Sequence, residues 1–518
     1  MQLRDPRDAP GMPTSPRKMG RIRLQKRDTS ELPGDESEEP GPRYVAGAVW
    51  SRCMPTPLVN GRVVLADTGL LRSIGLRESA GLTRLVSGQL AHLASSCMPV
   101  AFNYCGTQFG SFAGQLGDGA VISLGATPSH DAGLVELQLK GVGPTPYTRL
   151  GATGRKEAEA LVREWCQMEA LHRSGVRSAR PVALAIGEGG EACLLRMSRS
   201  FLRFGTMQLA NQRAPNGRGG PSIGDYGLLR TIADHLLREF YPDLMMAYEP
   251  EDDEEDENEG LYRELVLEVT RQTAALVASW MCVGWCHGTL NTDNLSLLGE
   301  TIDHGTGGFM GVTNRGWTPN AVDKGGLYAY GRQPEACRAA CVLLAEAMQP
   351  LHTEHMATLT PLVESAFDTE YARAHLAGMR RKLLLPETSA DDDADARLVE
   401  ELIDAMEAAG ADFRLTFVAL AHPGCEQHGA KFCLGVALKL PALDALEAWA
   451  DRHSSRLSQR HHPKRGTAAT VTPTRADVHA AVRRALEQYE RLIAPPPPLP
   501  SAFLLTQRPP GLLQSASV

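Results

Sequence analysis

The sequence predicts an α+β protein, with strands and hairpins over roughly the first 215 residues and helices over most of the rest. Three observations carry this. Val135–Lys140 (VELQLK) alternates strictly, the period of a strand with Val135, Leu137 and Leu139 on one face. Arg155–Ser174 repeats Ala158, Leu161, Val162, Trp165, Met168 and Leu171 at helical spacing, and Gly175 stops it. Helical periods then recur over Tyr226–Phe240, Leu261–Val283 and Tyr328–Met348, and in segments reaching about residue 420.

Totals narrow the class. At 518 residues the chain exceeds one ordinary core and has room for roughly three domain-sized units. With 43% hydrophobic and 22% charged residues it is expected to be soluble and globular. A net charge of −8 argues against wholesale nucleic-acid binding. Apolar runs fall short of the ~20 residues that span a bilayer, so no membrane span is expected. Eleven scattered cysteines without a secretory signal favour a reduced compartment, mitochondrial or cytoplasmic. The first thirty residues carry many Arg and Lys, but Asp5, Asp8 and four prolines oppose an amphipathic targeting helix. Cys282/Cys286 and Cys337/Cys341, spaced for one helix face, read as buried thiols, while Cys425, His428 and Cys433 match no zinc pattern well.

In chain order, residues 1–43 are rich in Pro and charge and read as a disordered segment. Short apolar segments then precede a helix-like stretch near Ser87–Ser96. The run Gly106–Gly119 (GTQFGSFAGQLGDG) brings backbone N–H groups within reach of an anion or forms a plain hairpin. Lys140 ends the polar face of its strand. On the following helix Glu164 sits at the margin of the apolar stripe, where a carboxylate needs a partner, and Lys140 is the nearest candidate. Ala192–Met197 is a further strand. Arg196 and Arg203, seven residues apart, would grip phosphate by forked hydrogen bonds or stay surface charge. Residues 249–260 form an acidic, solvated loop. A divergent helical region with a Pro-rich tail, 421–518, includes a helix over Val478–Ile493 and a polyproline spacer at 495–500.

The chemistry concentrates in Trp285–Gly305 (WCHGTLNTDNLSLLGETIDHG). Two brief apolar runs, Leu295–Leu298 and Thr301–Ile302, flank Gly299–Glu300 and read as a tight hairpin. The turn would return Asp303 towards Asp293 and Asn294, gathering hard oxygen donors suited to Mg2+. A polar turn capped by Asp and Asn is the bland alternative.

Taken together, QFGSFAGQLGDG (108–119), ELQLKGVGPTPYTR (136–149), VREWC (162–166), RMSRSFLRFG (196–205), HGTLNTDN (287–294), TIDHG (301–305) and YAYGRQPEAC (328–337) resemble the selenoprotein O family of protein adenylyltransferases. The resemblance covers about residues 45–350 and implies a protein-kinase-like bilobal fold. Residues 44–215 would form a mixed α/β N-lobe with the Gly-rich loop and Lys/Glu pair, and residues 216–420 a mostly α C-lobe. The resemblance also implies transfer of AMP from ATP, bound in reverse relative to ordinary kinases, to Ser, Thr or Tyr hydroxyls of proteins. Asp293 would be the base, and Asn294 and Asp303 would hold Mg2+ (or Mn2+). Gly117, Gly119, Gly154, Lys140, Glu164, Arg196, Arg203 and Asp303 would serve the nucleotide.

The chain departs from the family where Ala120 replaces the Arg usual after the second Gly of LGDG. Residues 151–155 (GATGR) also stand where GDGR is usual. With no cysteine or selenocysteine after Cys433, the family's C-terminal redox motif reads as absent, making this a divergent member. The rival readings are an ATP-binding pseudoenzyme or scaffold with weakened catalysis, and a conventional protein kinase.

Overall fold

Strand alternation decides which side chains meet across the first half. The computed structural model describes residues 24–39, 41–90, 98–211, 214, 216–248, 259–352, 355–383, 385–386 and 391–420. After helix α1 (Arg27–Glu31) come β1 (Gly34–Asp35), β2 (Trp50–Arg52), β3 (Arg62–Ala66), α2 (Thr68–Ser73), α3 (Ala80–Val86) and β4 (Val100–Phe102). The strands β5 (Cys105–Gln108) and β6 (Ser111–Gln115) form a separate hairpin. Next are β7 (Val121–Ser129), β8 (Gly133–Lys140), β9 (Lys156–Glu157), α4 (Ala158–Arg173), β10 (Arg180–Ile186) and β11 (Glu191–Ser198). The large mixed sheet runs β1-β2-β4-β7-β8-β11-β10-β3, with β9 paired to β11.

Neighbouring residues of one strand serve opposite faces. Leu137, Leu139, Ala183 and Leu195 join Leu71, Leu82 and Leu85 of α2 and α3 in one core. Leu184 and Leu194 meet Leu161 and Met168 of α4 on the other side. A fully buried Leu contributes roughly 2 kcal/mol, so these two layers fix α4 against the sheet. In register, Lys140 lies beside Leu194 and Gln138 beside Arg196, all on the α4 side. Glu136, Gln138 and Lys140 are therefore buried, although strand alternation alone would put that face in solvent.

The second half is mostly helical: α5 (Phe204–Met207), α6 (Tyr226–Phe240), α7 (Pro242–Ala247), α8 (Glu259–Val283), α9 (Gln333–Met348), α10 (Met356–Lys382), α11 (Asp392–Ala409) and α12 (Phe413–Leu420). Asp225 caps α6 by accepting from Leu228 N at 3.0 Å, worth about 1 kcal/mol. Between α8 and α9 the chain is irregular, with β12 (Trp285–Cys286) paired to β13 (Gly308–Phe309). Under it the rings of Trp280 and Trp285 lie 5.4 Å apart, and those of Trp285 and His287 also 5.4 Å. Trp280 Nε1 donates to Thr301 Oγ1 and Trp285 Nε1 to Gln167 Oε1. Irregular backbone at this depth is thus held by buried aromatic rings with satisfied N–H groups.

Over the described residues the chain divides into two compact units, 1–310 with 314–378, and 311–313 with 379–518. The second has its own polar anchor: Arg380 of α10 donates to Asp395 of α11 at 2.9 and 3.0 Å.

Some expectations change. Residues 24–39 and 41–43, assigned to a disordered segment, include α1 and β1. Arg27 and Asp28 are buried: Asp28 meets His235 of α6 at 2.9 Å, and Arg27 donates to the Arg199 carbonyl at 2.8 Å and lies over the Phe240 ring. Of the helix expected near 87–96, residues 87–90 follow the end of α3 at Val86 and are not helical, and residues 91–97 lie outside the described residues. Cys286 stands on a strand, not on the helix of Cys282, although both residues are buried, the Cys282 thiol donating to the His375 carbonyl and the Cys286 thiol to that of Tyr328. Residues 249–258 and the readings beyond residue 420, including Cys425, His428 and Cys433, lie outside the described residues.

Candidate active site

A cavity of about 1300 Å³ opens within the first unit. Gly117, Gly119, Lys140, Gly154, Arg196, Arg203, Asp293 and Asp303 all line it. Of the residues singled out from sequence, Glu164 and Asn294 stand behind this lining. Arg149, Arg155, Lys156 and Arg218 add positive charge to the wall.

Lys140 is placed by the end of β8, and Glu164 by the buried face of α4. Their contact is 2.7 Å from Nζ to Oε1, and Nζ also lies 3.5 Å from Asp303 Oδ1. Lys140 and Glu164 are buried, while the Asp303 side chain is 40% exposed. The ammonium thus ties a helix carboxylate to a residue 163 positions away in the chain.

Asp303 arrives through the expected turn: Leu295 pairs with Thr301, and Gly299 takes φ 58°. Asp303 is itself left-handed at φ 55°, a strained backbone for a non-glycine residue. His287 Nε2 lies 3.1 Å from the Ile302 carbonyl, holding the residue just before it. Burial opposes ionisation of Asp303, but Lys140, Arg203, Arg196 and His287 outweigh it and keep its carboxyl well below the usual range. It is a permanent anion at neutral pH.

Asp293 has the opposite environment. Burial pushes its carboxyl up to about 6, against the lowering effect of a Gln108 hydrogen bond and Arg203, with Asp303 adding repulsion. Two aspartates in one cavity are therefore driven apart in proton affinity, the pattern that separates a base from a fixed charge. Arg203 Nη1 donates to the Asp293 carbonyl at 2.7 Å, and its guanidinium lies 4.2 Å from the centre of the Tyr104 ring and 3.6 Å from Asp118 Oδ1. Asn294 Nδ2 donates to Thr289 O at 3.0 Å, which leaves its side-chain oxygen as the available acceptor.

Arg196 is buried, donates from Nη2 to Gln138 Oε1 at 2.8 Å and lies over Phe201. Its Nε and Nη1 have no hydrogen-bond partner among the described residues. Buried cationic donors left open are costly unless an anion completes them. The glycines answer to packing: a β-carbon at Gly117 would overlap the Tyr147 ring, and one at Gly154 the Gly143 carbonyl. Both have positive φ, 73° and 65°, so the loops approach each other as only glycine allows.

Sequence reasoning missed Tyr104, Gln108, Asp118 and the reason for Gly106. Gln108 Nε2 donates to Asp293 Oδ2 at 3.0 Å. Its pairing spans 185 residues, and no local pattern announces it. The first half of the glycine run thus covers the loop at 291–293, and its second half, from Ala113, lines the cavity.

Residues 48–493 match the family model for "Protein adenylyltransferase SelO". The chain belongs to this family. The human protein adenylyltransferase SelO, mitochondrial, is 38% identical over 437 residues, covering 79% of this chain and 64% of that protein. The mouse protein of the same name is 36% identical over 441 residues, covering 80% and 64%. Protein nucleotidyltransferase YdiU of Xanthomonas euvesicatoria pv. vesicatoria is 34% identical over 471 residues, covering 85% and 84%. This SelO-family chain therefore spans a little under two thirds of the length of its mammalian relatives. No helix among its described residues is long and apolar enough to cross a membrane.

Proposed function

We propose that the cavity binds ATP and that the protein transfers AMP to Ser, Thr or Tyr hydroxyls of other proteins. The observation that carries this is the contact of Lys140 with both Glu164 and Asp303 at a cavity shared with Asp293 and the open donors of Arg196. A lysine fixed by a helix carboxylate next to an ionised Asp suits nucleotide phosphates in kinase-like sites. The name adenylyltransferase of the mammalian relatives supports AMP as the transferred group, and the name nucleotidyltransferase of the bacterial one supports transfer of a nucleotidyl group. The same relationship supports a kinase-like bilobal arrangement, with ATP reversed so that its α-phosphate faces the acceptor.

In this reading the acceptor oxygen forms a bond to the α-phosphorus while the bond to pyrophosphate breaks. The hydroxyl proton passes to Asp293, whose carboxyl near 6 makes it a base at neutral pH. Lys140, Arg196 and Arg203 neutralise charge on the phosphates and on departing pyrophosphate.

Asp303 and Asn294 would hold Mg2+, with Mn2+ as a substitute. One is a fixed carboxylate and the other an oriented amide oxygen, a hard donor pair that fits the ion. No group of three or more His, Cys, Asp or Glu able to hold a metal occurs among the described residues. That agrees with an ion whose other ligands come from substrate phosphates and water. The bound ion would supply further neutralisation of phosphate charge.

Ala120 lies on the cavity wall together with Arg149, Arg155, Lys156 and Arg218, so cationic groups remain at the departures from the family pattern. ATP labelled separately at the α and γ positions tests the reading. Protein label from α supports it; label from γ means a kinase, and no label from either means a binding protein or scaffold.

A further inference from the structure

The β5–β6 hairpin lies across the loop that carries Asp293. Thr107 N donates to Thr292 Oγ1 at 2.7 Å, and Gln108 Nε2 to Asp293 Oδ2 at 3.0 Å. Phe109 N donates to the Tyr328 hydroxyl at 3.1 Å, which itself donates to Asn291 Oδ1 at 2.7 Å. Phe109 takes φ 48°, an outlying backbone for a bulky residue, and its ring lies 5.1 Å from that of Tyr328. Three consecutive residues of the hairpin thus bond three anchors, Thr292, Asp293 and Tyr328.

Gly106, in the same strand, meets the other carboxylate oxygen. A β-carbon there would overlap Asp293 Oδ1, an atom that is buried and has no hydrogen-bond partner among the described residues. From the far side, Arg203 holds the Asp293 carbonyl at 2.7 Å. The main chain of Asp293 is therefore fixed by Arg203, and the rotation of its carboxylate by one donor and one bare α-carbon.

We propose that Gln108, with Gly106 beside it, is a positioning residue that sets the plane of the Asp293 carboxylate for the incoming hydroxyl. The proposal rests on the reading of Asp293 as the base. Gln108 acts through Asp293, and Gly106 contributes by omitting a side chain. A terminal carboxylate torsion is broad and roughly two-fold, so nothing within Asp293 itself selects one plane. A single amide donor on Oδ2 makes that selection, and the donor's own position is set by backbone bonds on either side of it.

The test uses the full-length protein and compares steady-state AMP transfer by wild type, Gln108→Met and Gln108→Glu. Both variants keep the length of the side chain; Met loses the donor, and Glu replaces it with a carboxyl that donates only when protonated. Displacing a reacting group by a fraction of an ångström to an ångström costs up to about 100-fold, so kcat should fall roughly 10- to 100-fold with KM for ATP within about twofold. Gly106→Ala should reproduce this split from the opposite side. A purely structural role would lower ATP affinity and thermal stability together with kcat, and that result would overturn the proposal. An unchanged kcat in both Gln108 variants would also overturn it. So would a rise in kcat, because the hairpin would then be a cover over the base. If wild type transfers the γ-phosphoryl instead, the AMP reading fails while the same comparison still tests Gln108. If wild type transfers nothing, both fail.

Discussion

Lys140 Nζ stands 2.7 Å from Glu164 Oε1, joining the last residue of a strand to the second turn of a helix. Leu161 and Met168 bury the same helix face at 0% exposure, so the carboxylate is carried into the interior by its neighbours and is matched there by one ammonium. Glu164→Ala leaves that ammonium with Asp303 alone. Breaking a buried pair by removing one partner costs about 3 kcal/mol. Denaturant unfolding should report a loss of that size. AMP transfer should fall at least about tenfold in kcat/KM as Lys140 swings towards Asp303.

Asp303→Ala removes the anion that Lys140, Arg203 and Arg196 jointly hold ionised. If Asp303 holds the metal as proposed, its loss costs several kcal/mol of transition-state stabilisation, so transfer should drop by more than about a thousandfold. Initial-rate assays with label in the α-phosphate measure this. Turnover like that of wild type would remove Asp303 from the metal assignment.

A pH profile follows from Asp293, pushed up to about 6 by burial. The free enzyme should gain kcat/KM about tenfold per unit below that value and level off above it. Asp303 should add no limb in this window, since it is ionised throughout. Asp293→Asn should abolish the limb along with most activity. Stability has the opposite sign: a folded value above the ordinary 3.8 means the fold binds this proton more tightly. Asp293 therefore stabilises fully only below 3.8, and that contribution is lost as pH rises through about 6.

The N-terminal strap should loosen at alkaline pH. His235 lies 2.9 Å from both Asp28 and Glu31. Burial opposes its charge, but bonds to Asp28 and charge on both carboxylates prevail and raise it above 6.5. Burial likewise opposes Asp28, whose value is nonetheless lowered by His235 and Arg27; Glu31 is lowered first by its bond to His235. The histidine's contribution is complete below 6.5 and disappears as pH rises through its raised value. The carboxylates contribute above 3.8 and 4.5 and lose that on acidification. Hydrogen exchange of residues 24–36 should be slowest between these limits and accelerate above them. Exchange that does not change with pH beyond its intrinsic dependence would contradict the arrangement.

Much of this was readable in the chain because it depends on short-range periodicity. The stripe on α4 set Glu164 at the edge of an apolar face and made Lys140, at the end of the preceding strand, its nearest candidate partner. Alternation in VELQLK alone, however, left that face of the strand in solvent. The turn at Gly299 that leads to Asp303 was likewise local. What was hidden depends on distant partners. Gln108 finds Asp293 across 185 residues, Asp28 meets His235 of α6 more than 200 residues later, and Arg27 reaches the Arg199 carbonyl and the Phe240 ring. Glycine density left both anion binding and a plain hairpin open along the whole run from 106 to 119. Yet Gly106 is needed for the side chain of Asp293, and Gly117 for the ring of Tyr147. Composition cannot distinguish a glycine that faces a ligand from one that faces the protein.

In the proposed reaction this cavity delivers AMP, with Asp293 taking the proton. Intact-mass spectrometry of acceptor protein, after incubation with ATP, a divalent cation and either wild type or Asp293→Asn, tests it most directly. Wild type should add the mass of an adenylyl group to Ser, Thr or Tyr, and the variant should add almost none. A phosphoryl increment, or adenylyl addition as fast in the variant as in wild type, would contradict the account.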